Sequence, residues 1–201
     1  MSDSPELILA SESRSRARML EAAGVPFTAL AAKIDEDAIK EAMLAEKAAP
    51  AEIAETLAEL KALRVAARAP RALVLGADQV MVLDGVIHSK PADMAAARAQ
   101  LRAMSGKPHE LISAAVVARG DRAIWRHVSR ARLVVRPLDD AFIDHYLERC
   151  GEGILRNVGC YEIEGLGAQL FSRIDGDPFV IQGLPLLPLM AFLREHKILP
   201  A

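Results

Sequence analysis

Leu7-Ile8-Leu9-Ala10-Ser11-Glu12-Ser13-Arg14-Ser15-Arg16 is the stretch that decides the fold class. Its unbroken apolar run reads as a buried strand, and the serines that follow are helix-opening residues. Ser11 or Ser13 can cap that helix, Met19, Leu20 and Ala23 supply its apolar face, and Gly24 supplies a left-handed exit. A strand feeding a helix begins an α/β unit, and Phe27 to Ala31 reads as the next strand.

Working outward, Asp35-Glu36-Asp37 opens an Ala-rich helical stretch interrupted at Pro50. Ile53, Leu57, Leu60 and Ala67 then recur at helical spacing, which predicts a long helix with one solvated face. Ala72 to Ala77 predicts a buried strand. Val80 to Leu83 and Val86-Ile87 flank Asp84-Gly85, a hairpin signal. Pro91 and Asp93 start a helix that ends near Ser105-Gly106, and Leu111 to Ala118 pairs with Ala123 to Val135 about a Gly120-Asp121 turn. Asp139 caps a helix reaching Cys150 and Gly151. A glycine-rich segment runs on to Gly167, followed by a strand at Gln169 to Ile174 and a closing helix introduced by Pro185. Early alternation and later hairpins predict an α/β fold with a mixed sheet, in a single domain over residues 1–201. Sites in such folds sit beyond strand ends.

Composition narrows the function classes. With 201 residues and 52% hydrophobic content the chain is globular, and 25 Lys and Arg against 27 Asp and Glu leave no basic field for a nucleic acid polymer. The first apolar run is too short for a signal peptide or membrane span, so a cytoplasmic location without a membrane partner is expected. Cys150 and Cys160 are too few for a disulfide framework or a four-ligand zinc site and read as reduced packing residues. Aromatic content of 4% means that a nucleobase would be recognised by hydrogen bonds and backbone groups. No P-loop, dinucleotide-binding glycine motif, serine-hydrolase elbow or zinc-binding histidine pair occurs.

Several groups can carry chemistry. Ser11, Ser13, Arg14 and Arg16 sit where helix N–H groups and dipole favour an anion; the alternative is an ordinary capped helix with solvated arginines. Gly76-Ala77-Asp78-Gln79 puts a carboxylate at a strand end with a glycine to admit a ligand, suited to a metal-bound phosphate or an activated water, or else is a simple acidic turn. Asp35-Glu36-Asp37 offers carboxylates of the kind Mg²⁺ accepts, although acids at a helix start are also expected on dipole grounds. Lys61 and Lys90 are point charges that suit a phosphate chain, or solvated surface lysines.

Together these pieces resemble the Maf family. The family's opening Ala-Ser-x-Ser-Pro-Arg-Arg is matched in part by Ala10 to Arg16. Gly76-Ala77-Asp78-Gln79-Val80, Lys90-Pro91, Ser105-Gly106 through His109, Glu164-Gly165-Leu166-Gly167 and Gly183-Leu184-Pro185-Leu186 follow in family order. Arg14 stands where the family usually has proline, and Ser15 replaces the arginine or aromatic residue often found next. Arg156 to Tyr161 and Gly176 to Val180 also depart from the usual motifs.

The resemblance implies an elongated mixed β-sheet flanked by helices, two lobes with a cleft, and commonly a homodimer. It implies a house-cleaning hydrolase that cuts a nucleoside triphosphate between its α and β phosphates, with Mg²⁺ or Mn²⁺ as cofactor. In that reading Asp78 is the base and a metal ligand, Glu36 holds metal, and Arg16, Lys61 and Lys90 hold phosphates beside Ser11 and Ser13. Gln79 and Glu164 would set base choice; a glutamate accepts from the N1–H and amino group of guanine, so the pair resembles the family's 7-methyl-GTP branch. The alternatives are a nucleotide-binding regulator of septum formation without essential catalysis, and a pyrophosphatase for deaminated purine triphosphates.

Overall fold

The computed structural model describes residues 5–200. Seven strands form one mixed sheet in the order β2-β1-β3-β5-β6-β7, with β4 on β3. The strands are β1 (Leu7–Leu9), β2 (Thr28–Ala29), β3 (Leu73–Leu83), β4 (Val86–His88), β5 (Pro108–Arg119), β6 (Arg122–Val135) and β7 (Phe171–Asp175). The helices are α1 (Arg14–Ala22), α2 (Glu36–Ala45), α3 (Pro50–Ala66), α4 (Met94–Met104), α5 (Asp140–Cys150), α6 (Pro178–Ile181) and α7 (Leu186–Glu195).

The chain divides into two compact units, one of Met1–Gln79, Ile112–Ser129 and Gly183–Ala201, the other of Val80–Leu111 and Arg130–Gln182. In the first, β1 lies parallel to both β2 and β3, with Leu7, Ile8 and Leu9 opposite Leu73, Val74 and Leu75. Strands covered on both faces need continuous apolar runs, and each of these six residues is buried. Leu9, Leu20, Ile53, Leu57, Val65, Leu73 and Leu75 are wholly enclosed in this core.

Local expectations are sharpened or changed in this unit. The interruption expected at Pro50 separates α2 from α3, and Pro50 itself begins α3, at the first-turn position where its missing N–H costs nothing. The buried face of α3 runs through Ile53, Leu57, Ala58, Lys61, Ala62 and Val65, while Leu60 is exposed, so the apolar stripe is turned from the one expected and contains a lysine. β3 does not stop at Ala77 but continues to Leu83, because Val80, Met81 and Leu83 are as buried as the residues before Gly76. Asp78 is therefore inside a strand, not at its end.

The second unit packs Met81, Leu101, Met104, Leu133, Ile143, Tyr146, Tyr161 and Leu170 into its own core. Its α4 and α5 are clasped by the pairs Arg98–Asp144 and Arg102–Asp140. β7 begins at Phe171 because Leu166–Leu170 winds as a 3₁₀ turn, and α6 is a short helix, capped by Asp177 and opened by Pro178, that the sequence reading did not assign. Cys150 and Cys160 are free thiols; Cys160 is buried, donates to Gln100 Oε1 at 3.0 Å, and burial pushes its pKa up to about 12. Among the described residues no helix is long and apolar enough to cross a membrane.

Candidate active site

The parallel part of the first unit fixes where charged groups gather. The last registered pair of β1 and β3 is Leu9 with Leu75, after which Ala10 N–H donates to the Leu75 carbonyl at 2.7 Å and β1 leaves the sheet. The chain then turns into α1. Ser13 caps it, accepting from Arg16 N–H at 3.4 Å, so Ser13 is the cap of the two candidates. Ser11 accepts from Ser13 N–H and from Arg16 Nη1, each at 3.2 Å.

Arg16 is not solvated. It is 8% exposed, and its Nε donates to the carbonyl of Gly183 at 2.8 Å, across 167 residues of sequence. Burial lowers its pKa from the ordinary value, and the charges of Asp78 and Glu36 act in the opposite sense. A guanidinium keeps its proton under such opposing effects. Two carboxylates thus lie within electrostatic reach of one buried cation. Gly183 has φ +97°, a backbone conformation that glycine adopts without strain and that turns its carbonyl to the arginine.

Gly76 brings the second cation in. A Cβ at this position would lie 2.0 Å from the Ala58 carbonyl and 2.7 Å from the Ala62 nitrogen, so only glycine lets α3 rest directly on β3. The expectation that this glycine admits a ligand is corrected: it admits a helix. Ala58 and Ala62 bracket Lys61, and two residues along the same strand face is Asp78. Lys61 Nζ donates to Asp78 Oδ1 at 2.7 Å and lies 2.9 Å from Glu36 Oε1. Lys61 and Asp78 are 6% and 5% exposed, which sets aside the solvated-lysine and simple-turn readings. Glu36 opens α2 beside Asp35, whose carboxylate caps that helix by accepting from Ala38 N–H.

Strand alternation sends Gln79 to the opposite face from Asp78. Its Nε2 donates to Ser113 Oγ on β5 at 3.0 Å. Ser113 and Gly183 are the residues whose contacts sequence reasoning missed. The first had a signal, being the polar residue in the apolar run Leu111 to Ala118; the second partners a residue too distant in sequence for any local pattern. Lys90 follows β4 and Glu164 lies in the turn before the 3₁₀ segment; both are exposed and belong to the second unit.

Among the described residues no group of three or more His, Cys, Asp and Glu gathers as a metal cage. Asp78 and Glu36, joined through Lys61, suit instead a hard cation that takes one or two carboxylates and fills its shell with water and phosphate oxygens. Buried cations beside carboxylates are groups that can neutralise and orient an anionic ligand.

Known proteins show which family the chain is similar to. The family model described as "Maf-like protein" matches residues 6–196. A nucleoside triphosphate pyrophosphatase of Paramagnetospirillum magneticum is 53% identical over 189 residues, covering 94% of this chain and 97% of that protein. One of the same name from Rhodospirillum rubrum is 47% identical, covering 97% and 96%. A 7-methyl-GTP pyrophosphatase of Rhizobium meliloti is 51% identical over 191 residues, covering 95% and 96%. With the motifs from Ser11 to Leu186 in family order, and a family match over residues 6–196, this chain belongs to the Maf family.

Proposed function

We propose that this protein is a nucleoside triphosphate pyrophosphatase, hydrolysing the α–β phosphoanhydride to a monophosphate and pyrophosphate. The observation that carries the reading is the buried Lys61 ammonium bridging Asp78 and Glu36 within reach of the Arg16 guanidinium. Phosphoryl transfer asks for positioning and charge neutralisation and needs no protein nucleophile, and this inventory of two acids and two cations supplies both.

In this mechanism Asp78 accepts the proton of the attacking water. Lys61 holds the Asp78 carboxylate in place through its hydrogen bond to Oδ1. Arg16, pinned through Nε and Nη1, steadies phosphate oxygens near the start of α1, with Ser11 and Ser13 shaping the loop. Glu36 and Asp78 would hold Mg²⁺ or Mn²⁺, which when bound neutralises part of the triphosphate charge. Lys90 is assigned by resemblance as a further phosphate lysine.

Gln79 and Glu164 are the residues we assign to base choice, and their types favour guanine or 7-methylguanine. Relatives named for general nucleoside triphosphates and for 7-methyl-GTP are similar to this chain at nearly equal identity, so the substrate rests on these two side chains.

The test is pyrophosphate release from dTTP, UTP, GTP, 7-methyl-GTP, CTP and ITP with Mg²⁺ or Mn²⁺. We expect release from the guanine nucleotides, a loss of about a thousandfold or more in Asp78→Asn, and weakened guanine preference in Glu164→Gln. Binding without release from any nucleotide would remove the catalytic reading and favour a regulator.

A further inference from the structure

Gln100 is a polar residue on the buried face of α4, which it shares with Ala97, Leu101 and Met104. Methionine would fill the same volume there without polar atoms to satisfy. Both ends of the Gln100 amide are committed. Nε2 donates to the Ser89 carbonyl at 3.2 Å, and Oε1 accepts from the Cys160 thiol at 3.0 Å, nearer to that thiol than the Ala97 carbonyl at 3.9 Å. A backbone carbonyl only accepts, so Ser89 fixes the NH₂ end and leaves the carbonyl end to the thiol. Cys160 carries a cost of its own: its φ is +58°, which a side chain makes unfavourable by about 1 kcal/mol and which glycine would adopt freely. Its N–H donates to the Asn157 carbonyl at 3.2 Å and its carbonyl accepts from Tyr146 Oη at 2.8 Å, so the turn that presents the thiol is held.

Ser89 starts the loop that carries Lys90 from β4 to α4, all within the second unit. Asp93 ends that loop by capping α4, accepting from Ala96 N–H at 2.7 Å. Among the described residues, residues 89–92 make no backbone–backbone hydrogen bond of a loop, turn or cap, so the Gln100 amide is what ties down the first half of the loop. Pro91 confines the backbone of Lys90, the residue before it, to extended conformations. With Ser89 held and Lys90 confined, the root of the exposed lysine side chain has a set direction.

We infer that Gln100 is a positioning residue for phosphate binding, holding the Lys90 loop to α4, with Cys160 as the brace that holds Gln100. Neither residue touches a reacting atom. A loop ordered before the nucleotide arrives spares binding the entropy of ordering it. This rests on the proposed assignment of Lys90 to the phosphate chain and extends it to a helix and a turn that the motifs do not join.

The experiment measures binding of a GTP analogue with a methylene group between its α and β phosphates, in Mg²⁺, by calorimetry, beside pyrophosphate release from GTP. The proteins are wild type, Lys90→Met, Gln100→Met, the Lys90→Met/Gln100→Met pair, Cys160→Ala and Cys160→Ser. Gln100→Met keeps volume and helix propensity and should weaken the analogue about fivefold, the factor that one net hydrogen bond supplies. The double variant should bind no more weakly than Lys90→Met alone, an outcome that a merely structural role of Gln100 would not give. Cys160→Ala removes only the brace and should weaken binding in the same direction, whereas Cys160→Ser keeps a donor and should restore it. Wild-type affinity in Gln100→Met beside a weakened Lys90→Met, or losses that add in the double variant, would overturn the inference. Wild-type affinity in Lys90→Met would remove the phosphate role of that lysine and the inference with it. Absent pyrophosphate release with the binding pattern intact would instead overturn the proposed activity and leave this inference standing.

Discussion

Gly76→Ala is a one-methyl change that tests how the site is assembled. Gly76 is not among the glycines with positive φ, so alanine meets no backbone strain there. The whole effect is steric. The new Cβ would stand 2.0 Å from the Ala58 carbonyl oxygen and 2.7 Å from the Ala62 nitrogen, both backbone atoms of α3 that no rotamer change can move aside. Strand and helix must separate by about 1 Å to reach even the closest tolerated contact. Overpacking of this kind costs about 3 kcal/mol, the upper end for inserting a methyl against rigid neighbours. The same separation carries Lys61, now 2.7 Å from Asp78, beyond hydrogen-bond range. We expect a lowered urea midpoint together with a loss of pyrophosphate release. Gly24→Ala is the control: its φ of +67° costs about 1 kcal/mol in strain, but nothing lies within 4 Å, so stability should fall and turnover should not. A Gly76→Ala protein with wild-type midpoint and turnover would refute the close-packing account.

Two further outcomes follow from the same geometry. Arg16→Lys cannot reach Gly183 O and Ser11 Oγ at once, because an ammonium has no planar fork; kcat/KM should fall about thirtyfold, equivalent to about 2 kcal/mol, and steady-state kinetics within threefold of wild type would count against the role of Arg16. His109, in the second unit, is 3% exposed beside Tyr161 and His88, and burial lowers its pKa from 6.5 to about 4. The unfolded chain therefore takes up a proton that the folded one refuses across that window, so stability falls as pH drops from about 6.5 to 4, by about 3 kcal/mol. Urea midpoints at pH 7 and pH 4.5 should diverge more in wild type than in His109→Gln, and parallel curves would dismiss the assignment.

Much of the fold was legible because local and tertiary demands agree. Continuous apolar runs at Leu7 and Leu73 are what doubly covered parallel strands require, and Ser13, Asp35, Asp93 and Asp139 each cap the helix they precede. The misreadings fall where a local rule has more than one physical cause. A glycine in a strand admits close approach of something, and sequence alone did not say whether a ligand or a helix. The answer was nonetheless written in α3: Ala58 and Ala62, four residues apart, form a small-residue ridge that marks a helix face made for close contact. The alternative that Lys61 is a solvated surface lysine was kept open because most lysines are solvated, yet Ile53, Leu57 and Lys61 share one i, i+4 row and hence one buried face. The bond of Arg16 to Gly183 had no such trace, since strand order and not spacing joins residues so far apart.

That the residues whose surroundings were misread are also the proposed site residues has a physical reason. Lys61 and Asp78 are nearly as enclosed as the leucines around them, and enclosing an ion pair costs desolvation that its own attraction barely returns. Apolar residues of equal size would pack the space between α3 and β3 at least as well, so stability does not account for the pair. What an enclosed, crossbraced ammonium and carboxylate provide is fixed direction: Asp78 cannot turn while Lys61 holds it, and Lys61 cannot withdraw while Glu36 holds its other side. Charges held in this way meet a phosphate chain without first reorganising, which is the condition under which they lower a barrier and do more than bind. Gly76, Ala58 and Ala62 have no chemistry of their own, but by removing every atom that would let helix and strand drift they make that direction permanent.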